Sequence, residues 1–524
     1  MAIKIILLVA FVAVTIGVGL YFRKRAKSVD NFVLGGRSLG PWLTAFAYGT
    51  TYFSAVVFVG YAGQFGWKYG SAAIWIGLAN AFIGALLPWF VLGKRTRVMT
   101  QHLGSSTMPQ FFGSRYNSKA LKIGASMIVF IFLIPYTASL YNGLSRIFSV
   151  AFGIDYIYCI IGMALLTMIY VVVGGYVATA ANDFIQGIVM LVGIVAVVAA
   201  VLSAKGGFMN ALTDLSQVPA DSGNMQGAYT SLLGPDPIGL LGVVLLTSLG
   251  TWGLPQIVHK FYVIKSEKTI KKGAIISTIF ALIVSGGCYF VGSFGRLYAD
   301  VVETGGKGVI FDSIIPNMVK GFPDILVGIV IILVLAASLS TLAGLVMTSS
   351  STLTLDFLKG HIIKKEMKEK SQLIIIRAFV ALFIVVSAVI AIVQYKYGST
   401  ITFIAQMMGI SWGALAGAFL APFLYGLYWK RASKIAVWCC FGFSAVWMIL
   451  NFILNLCGIA NVLGIFGSPI NAGAFAMLAG LVIVPVVSLF TKAPPKESVD
   501  NCFSCYKGTI LPKDEEPAAA EQSA

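Results

Sequence analysis

Charge is what this sequence has least of. Only 11% of its 524 residues are Asp, Glu, Lys or Arg, against 58% hydrophobic residues and a mean hydropathy of +0.89. Soluble globular chains carry roughly 25% charged residues, so this composition excludes a water-soluble domain and identifies a polytopic membrane protein. Acidic residues are scarcest, 20 against 37 Lys and Arg. The basic excess lies in clusters between apolar runs, which reads as membrane topology and excludes a nucleic-acid surface. No G-x-x-x-x-G-K-[ST] loop occurs, so the chain has no phosphate cradle for driving transport with ATP. The three histidines, His102, His259 and His361, form no ligand spacing and fall near inner loops or span ends. Of seven cysteines, Cys159, Cys288, Cys439, Cys440 and Cys457 sit in apolar runs as packing residues. Cys502 and Cys505 form a lone C-x-x-C in a polar tail, short of the four ligands of a structural zinc site.

What is abundant is apolar length. Windows of about 20 apolar residues mark thirteen spans: 3–22, 40–63, 70–93, 123–149, 153–175, 181–204, 237–258, 273–299, 323–354, 373–395, 400–426, 433–457 and 472–491. The first run precedes Arg23-Lys24-Arg25, the reverse of a secretory signal, and reads as a retained span with its N-terminus outside. Alternating from there, 29 of the 37 basic residues fall on the inner side, Lys260 among them, which supports an odd number of spans and a cytosolic C-terminus. Loops 205–236 and 300–322 fall outside and are expected to hold short helices; residues 492–524 read as a disordered cytosolic tail.

Two spans carry the wrong material for a continuous helix. Within 40–63 lies Tyr48-Gly-Thr-Thr-Tyr-Phe-Ser54, and within 237–258 lies Thr247-Ser-Leu-Gly-Thr-Trp-Gly-Leu-Pro255. Glycine, proline and β-branched residues weaken a helix where lipid offers no substitute hydrogen bonds, so a break survives only against protein or a cavity. Spans 2 and 7 each begin a set of five, and corresponding breaks in inverted sets point to a transporter binding site at mid-membrane. Freed carbonyls there suit a hard cation, and a freed helix N-terminus suits an anion. Span 9 adds a hydroxyl cluster in which Ala337, Ser340, Thr341 and Thr348 lie near one face. Asp183 is the one ionisable candidate inside the membrane, without a visible partner, and reads either as a helix N-cap or as a way-station for a departing cation. A membrane enzyme would need convergent catalytic groups, a channel a pore loop or charge ring, and a transporter-like sensor a signalling domain; none is visible.

These motifs resemble those of the sodium:solute symporter family. The resemblance rests on Asn31-Phe-Val-Leu-Gly-Gly-Arg-Ser-Leu-Gly-Pro-Trp42, on Gly174-Gly175 through Asn182-Asp-Phe-Ile-Gln-Gly187, and on Ala336-Ala-Ser-Leu-Ser-Thr341. It implies an all-α membrane protein of 13 transmembrane helices with a LeuT-like 5+5 inverted repeat and discontinuous helices 2 and 7. Residues 1–39 would lead, 40–204 and 237–426 form the repeats around the 205–236 loop, and 427–491 supply two trailing helices. Na+ is implied as the coupling ion, held by the carbonyls of Thr50, Phe53 and Ala337 and the hydroxyls of Ser340 and Thr341. A second sodium of some relatives would need serines where Ala343 and Gly344 stand. Solute contacts are expected from Thr51, Tyr52, Ser54, Trp252, Gln256 and Gln406, with Asp183 on the ion release path. Tyr52 replaces an aspartate of proline-transporting relatives, and Thr51-Tyr-Phe-Ser54 is closer to the pantothenate and monocarboxylate branch; sodium/proline symport is the alternative. The implied setting is a cell membrane, with a small organic solute, sodium and the bilayer as partners, no obligatory protein partner and no enzymatic activity.

Overall fold

In lipid a backbone must satisfy its own hydrogen bonds, so long apolar runs become helices. The computed structural model describes residues 2–22, 28–221, 226–305, 308–359, 363, 368–397 and 403–508. The long helices are α1 (Ala2–Phe22), α2 (Pro41–Tyr52), α3 (Val56–His102), α4 (Lys119–Phe152), α5 (Tyr156–Val172), α6 (Gly174–Ala204), α7 (Pro237–Gly253) and α8 (Pro255–Tyr262). They continue as α9 (Glu267–Ser293), α10 (Asp324–Leu358), α11 (Glu369–Tyr397), α12 (Phe403–Tyr428), α13 (Lys434–Leu456), α14 (Pro469–Phe490) and α15 (Lys496–Gly508). Among the described residues ten helices are long and apolar enough to cross a membrane, or eleven with α7 and α8 taken as one bent span. The only strands among them are two of two residues, Thr304–Gly305 and Gly308–Val309. Short helices Phe208–Gln217 and Ile314–Lys320 lie in the two long loops, as expected.

Burial sorts the helices. The most apolar windows of α10 and α12 are 78% and 94% buried, whereas that of α1 is 17% buried and faces outward. The centre therefore lies where α10 meets α2, α4 and the Tyr156–Ala204 helices. Close approach is set by small residues. A Cβ on Gly66 would lie 2.0 Å from the Gly292 carbonyl carbon, and one on Gly292 2.0 Å from the Ala62 carbonyl oxygen. Gly175, at φ 61, turns the chain between α5 and α6, a conformation that leaves little choice but glycine.

The start of the tail differs from the expected disorder. Residues 496–508 form α15, with Val499, Cys502 and Cys505 buried; residues 509–524 and His361 lie outside the described residues. Val499, Cys502, Phe503 and Tyr506 share one helical face, which the polar composition around them conceals. Arg95 lies 4.7 Å from the Tyr506 ring and Arg115 4.9 Å from Phe503, while Lys430 Nζ meets Asp500 Oδ1 at 2.7 Å. Truncation after Pro495 is expected to lower the thermal midpoint in detergent by about 5 °C or more. An unchanged midpoint would contradict the docking.

Candidate functional site

The site begins where α2 stops. Pro41 starts the helix at its first position; Phe53 leaves it at φ −99, ψ 104, after its N–H bonds to the Gly49 carbonyl at 3.0 Å. Helical bonding resumes when Val57 and Phe58 donate to the Ser54 carbonyl at 3.0 and 3.2 Å. The intervening carbonyls of Thr50 and Thr51 point to partners on α10. Ser340 Oγ lies 3.1 Å and Thr341 Oγ1 3.2 Å from the Thr50 oxygen, and Thr341 Oγ1 is 3.4 Å from that of Thr51. Both hydroxyls also reach the Ala337 carbonyl, at 3.2 and 3.0 Å. Thr50, Ala337, Ser340 and Thr341 thus form one buried oxygen cluster from residues 290 positions apart. Among the described residues the Phe53 carbonyl makes no hydrogen bond to this cluster. Gly49 has a packing reason as well: a Cβ there would meet Phe280 Cδ1 at 2.5 Å.

The second interruption lies at Leu254, extended at φ −82, ψ 117, where α7 and α8 diverge by 44°. It faces the first, because Tyr52 donates its hydroxyl to the Thr247 carbonyl at 2.5 Å. Asn80 on α3 was not singled out by sequence reasoning, yet its Oδ1 accepts from Thr247 at 3.0 Å and Ser248 at 2.9 Å, and its amide donates to Ser285 at 3.1 Å. A buried amide that satisfies an irregular helix is a conformational lock.

The six expected solute contacts divide by what their polar atoms do. Tyr52 is committed to Thr247, and Trp252 Nε1 donates to the Ile83 carbonyl at 2.9 Å. Among the described residues Thr51 Oγ1 and both amide atoms of Gln256 are buried without a hydrogen-bond partner, and so are those of Gln186. Orphaned buried polar atoms are costly and rare, and mark places where a ligand can bind. Ser54 is buried and Gln406 half-buried. Aromatic rings enclose the break: Tyr52 and Trp412 have centroids 6.1 Å apart, and Tyr136 and Trp412 6.0 Å.

Asp183 corrects two expectations. It sits in the interior of α6, so it caps no helix, and it has a partner. Lys260, assigned to the inner side by the alternation of spans, is 3% exposed on α8, with its Nζ 3.8 Å from Asp183 Oδ2. His259, read as lying near an inner loop or span end, lines one cavity with Asp183, Lys260 and Gln256. The span window ended at 258, but the helix restarts at Pro255 and carries Gln256 and Lys260 on one face, the spacing that could have revealed the pair. Asp356 is a further buried carboxylate, accepting from Thr107 Oγ1 at 2.6 Å. At the loop ends, Arg37 donates to the carbonyls of Ser105 at 2.9 Å and Tyr262 at 3.1 Å. On the opposite face, Arg296 donates to both oxygens of Asp221, at 3.0 and 2.5 Å, which holds Asp221 below the usual carboxylate range. Arg146 pairs with Glu303 at 2.9 Å.

The sequence model described as the sodium:solute symporter family matches residues 32–440. Curated relatives include the sodium/proline symporters of Staphylococcus aureus strains JH9 and JH1, each 28% identical over 501 residues and covered, like this chain, to 93%. The fold matches a solved Na+-coupled sialic acid symporter, in a substrate-bound outward-open state, with a TM-score of 0.70 at 18% identity, over 94% of this chain and 99% of that one.

Proposed function

Because this multi-pass membrane chain belongs to the sodium:solute symporter family, we propose that it imports a small carboxylate-bearing solute with Na+ by alternating access. The matched relatives are transporters and not enzymes. The observation that carries the reading is the Thr50 carbonyl flanked by Ser340 Oγ at 3.1 Å and Thr341 Oγ1 at 3.2 Å at the end of a broken helix. A sodium ion takes about five or six oxygens. Thr50, Phe53 and Ala337 would supply carbonyls, and Ser340 and Thr341 hydroxyls. Thr51, Ser54 and Gln256 would hold the solute, with Tyr52, Trp252 and Gln406 shaping its cavity.

Counting α5 as a span, and dividing α3 at Gly70, where φ is +59, turns the eleven helical units into thirteen. Residues 40–204 and 237–426 then form two inverted sets of five around the discontinuous helices 2 and 7. Residues 1–39 lead and 427–491 trail. The basic clusters support an outside N-terminus and a cytosolic C-terminus in a cell membrane.

Two solute classes compete. Tyr52 favours pantothenate or a monocarboxylate, while the sodium/proline symporters among the relatives favour proline. Uptake into proteoliposomes of labelled proline, pantothenate, pyruvate, acetate and sialic acid, each competed by the others, separates them. At least one acid is expected to accumulate only with an inward sodium gradient. Equal uptake with potassium or choline in place of sodium would refute the coupling.

A further inference from the structure

The pair of Lys260 and Asp183 is buried but loosely made. Their side chains are 4% and 2% exposed, and 3.8 Å between Nζ and Oδ2 is an electrostatic contact, longer than a hydrogen bond. A buried pair serving only stability closes to hydrogen-bond distance and satisfies its remaining atoms. Here Asp183 Oδ1, both amide atoms of Gln256 and His259 Nε2 are all buried without a partner among the described residues. The four residues line one cavity, closed on its other side by Ala343, Gly344 and Thr348 of α10.

That cavity adjoins the oxygen cluster. Ala343 and Gly344 are one helical turn beyond Ser340, and a Cβ on Gly344 would stand 3.0 Å from Thr51 Cγ2. The glycine therefore lets Thr51 pack directly against α10 at the edge of the cavity. A cation leaving Thr50 and an acid leaving Thr51 would both pass beside this cavity. It offers an ammonium and an amide N–H to a carboxylate, and a carboxylate oxygen to a cation.

We propose that this cavity is a second, exit-side subsite for the solute, in which its carboxylate takes Lys260 and Gln256 beside Asp183, the aspartate that the family resemblance places on the sodium's release path. The inference rests on the reading of the solute as a carboxylate. The exchange is neutral throughout: one buried pair receives one cation and one anion and becomes two pairs, so no uncompensated charge is left inside the membrane. The cavity holds about 10 Å³, a water-sized space, in this conformation. Movement of α8 about Leu254, where the chain is already extended, widens it for the solute.

The test is sided transport in oriented proteoliposomes with the same five labelled acids, read as the ratio of inner-side to outer-side KM. Loss of folded carrier lowers velocity and leaves this ratio alone. Asp183→Asn with Lys260→Gln removes both charges and is expected to raise the ratio tenfold or more. Asp183→Asn alone leaves Lys260 gripping the acid and is expected to lower the ratio at least threefold and slow turnover. Gln256→Leu replaces an amide that bonds nothing and keeps the charges, so it folds, and is expected to raise the ratio severalfold. An unchanged ratio in all three, or a shift of one sign in both Asp183 variants, overturns the subsite. A wild type that carries none of the five acids overturns the carboxylate reading and the subsite together; one that carries an acid while the ratio stays fixed overturns the subsite alone.

Discussion

Replacing Ser340 and Thr341 together by alanine is expected to raise the sodium concentration for half-maximal uptake by tenfold or more. A hydrogen bond or ligand contact to a charged group is worth about 1.5–3 kcal/mol, and every 1.4 kcal/mol is a factor of about ten in affinity. Two adjacent ligands of one ion do not add independently, so tenfold is the lower bound. The fold should survive, because both hydroxyls already bond back to carbonyls of their own helix, Ala336 and Ala337, and alanine leaves that ladder intact. Ser338 is the control on the same helix. It is equally buried, but its Oγ donates only to the Val334 carbonyl, at 2.8 Å. Ser338→Ala is expected to leave the sodium dependence where it was; a shift as large as that of the double variant would mean that helix packing, and not coordination, sets it.

The second large effect lies away from the ion. Gly66→Ala and Gly292→Ala each force a methyl group to within 2.0 Å of backbone atoms on the facing helix, where no side chain can yield. Overpacking of a close interface costs about 1–3 kcal/mol when side chains adjust, and more when backbone must move. Both variants should therefore lose most monodisperse protein in size-exclusion chromatography. Gly286 lies on the same helix as Gly292 and has nothing within 4 Å of its missing Cβ. Gly286→Ala should elute like the wild type, and loss of all three alike would show that these helices do not approach as described.

What could be read from sequence followed from physics that acts locally. The ten or eleven long apolar helices among the described residues were legible because bilayer thickness dictates their length, and the Ala337, Ser340, Thr341 face because helical periodicity does. The stretch around Thr50 was legible because its residues disfavour a helix, although the helix runs on through Gly49 to Tyr52 before it stops. Lys260 was hidden because the apolar window ended at 258 and alternation of the spans then placed it with the basic residues of the inner side. The partner that overrides this placement, Asp183, lies 77 positions earlier, and only the tertiary fold joins them. Asn80 escaped for the same reason, since its value depends on the irregular turn it satisfies. The α15 helix was concealed by composition, its four inward side chains being diluted by polar residues around them.

Sodium is proposed to dock where α2 breaks against α10. Equilibrium binding of ²²Na⁺ to the purified protein, without solute, tests it directly: saturable binding is expected in the wild type and in Ser338→Ala, and loss of that binding in the Ser340→Ala, Thr341→Ala variant. Undiminished, saturable binding in the double variant would place the ion elsewhere than at Thr50, Ser340 and Thr341.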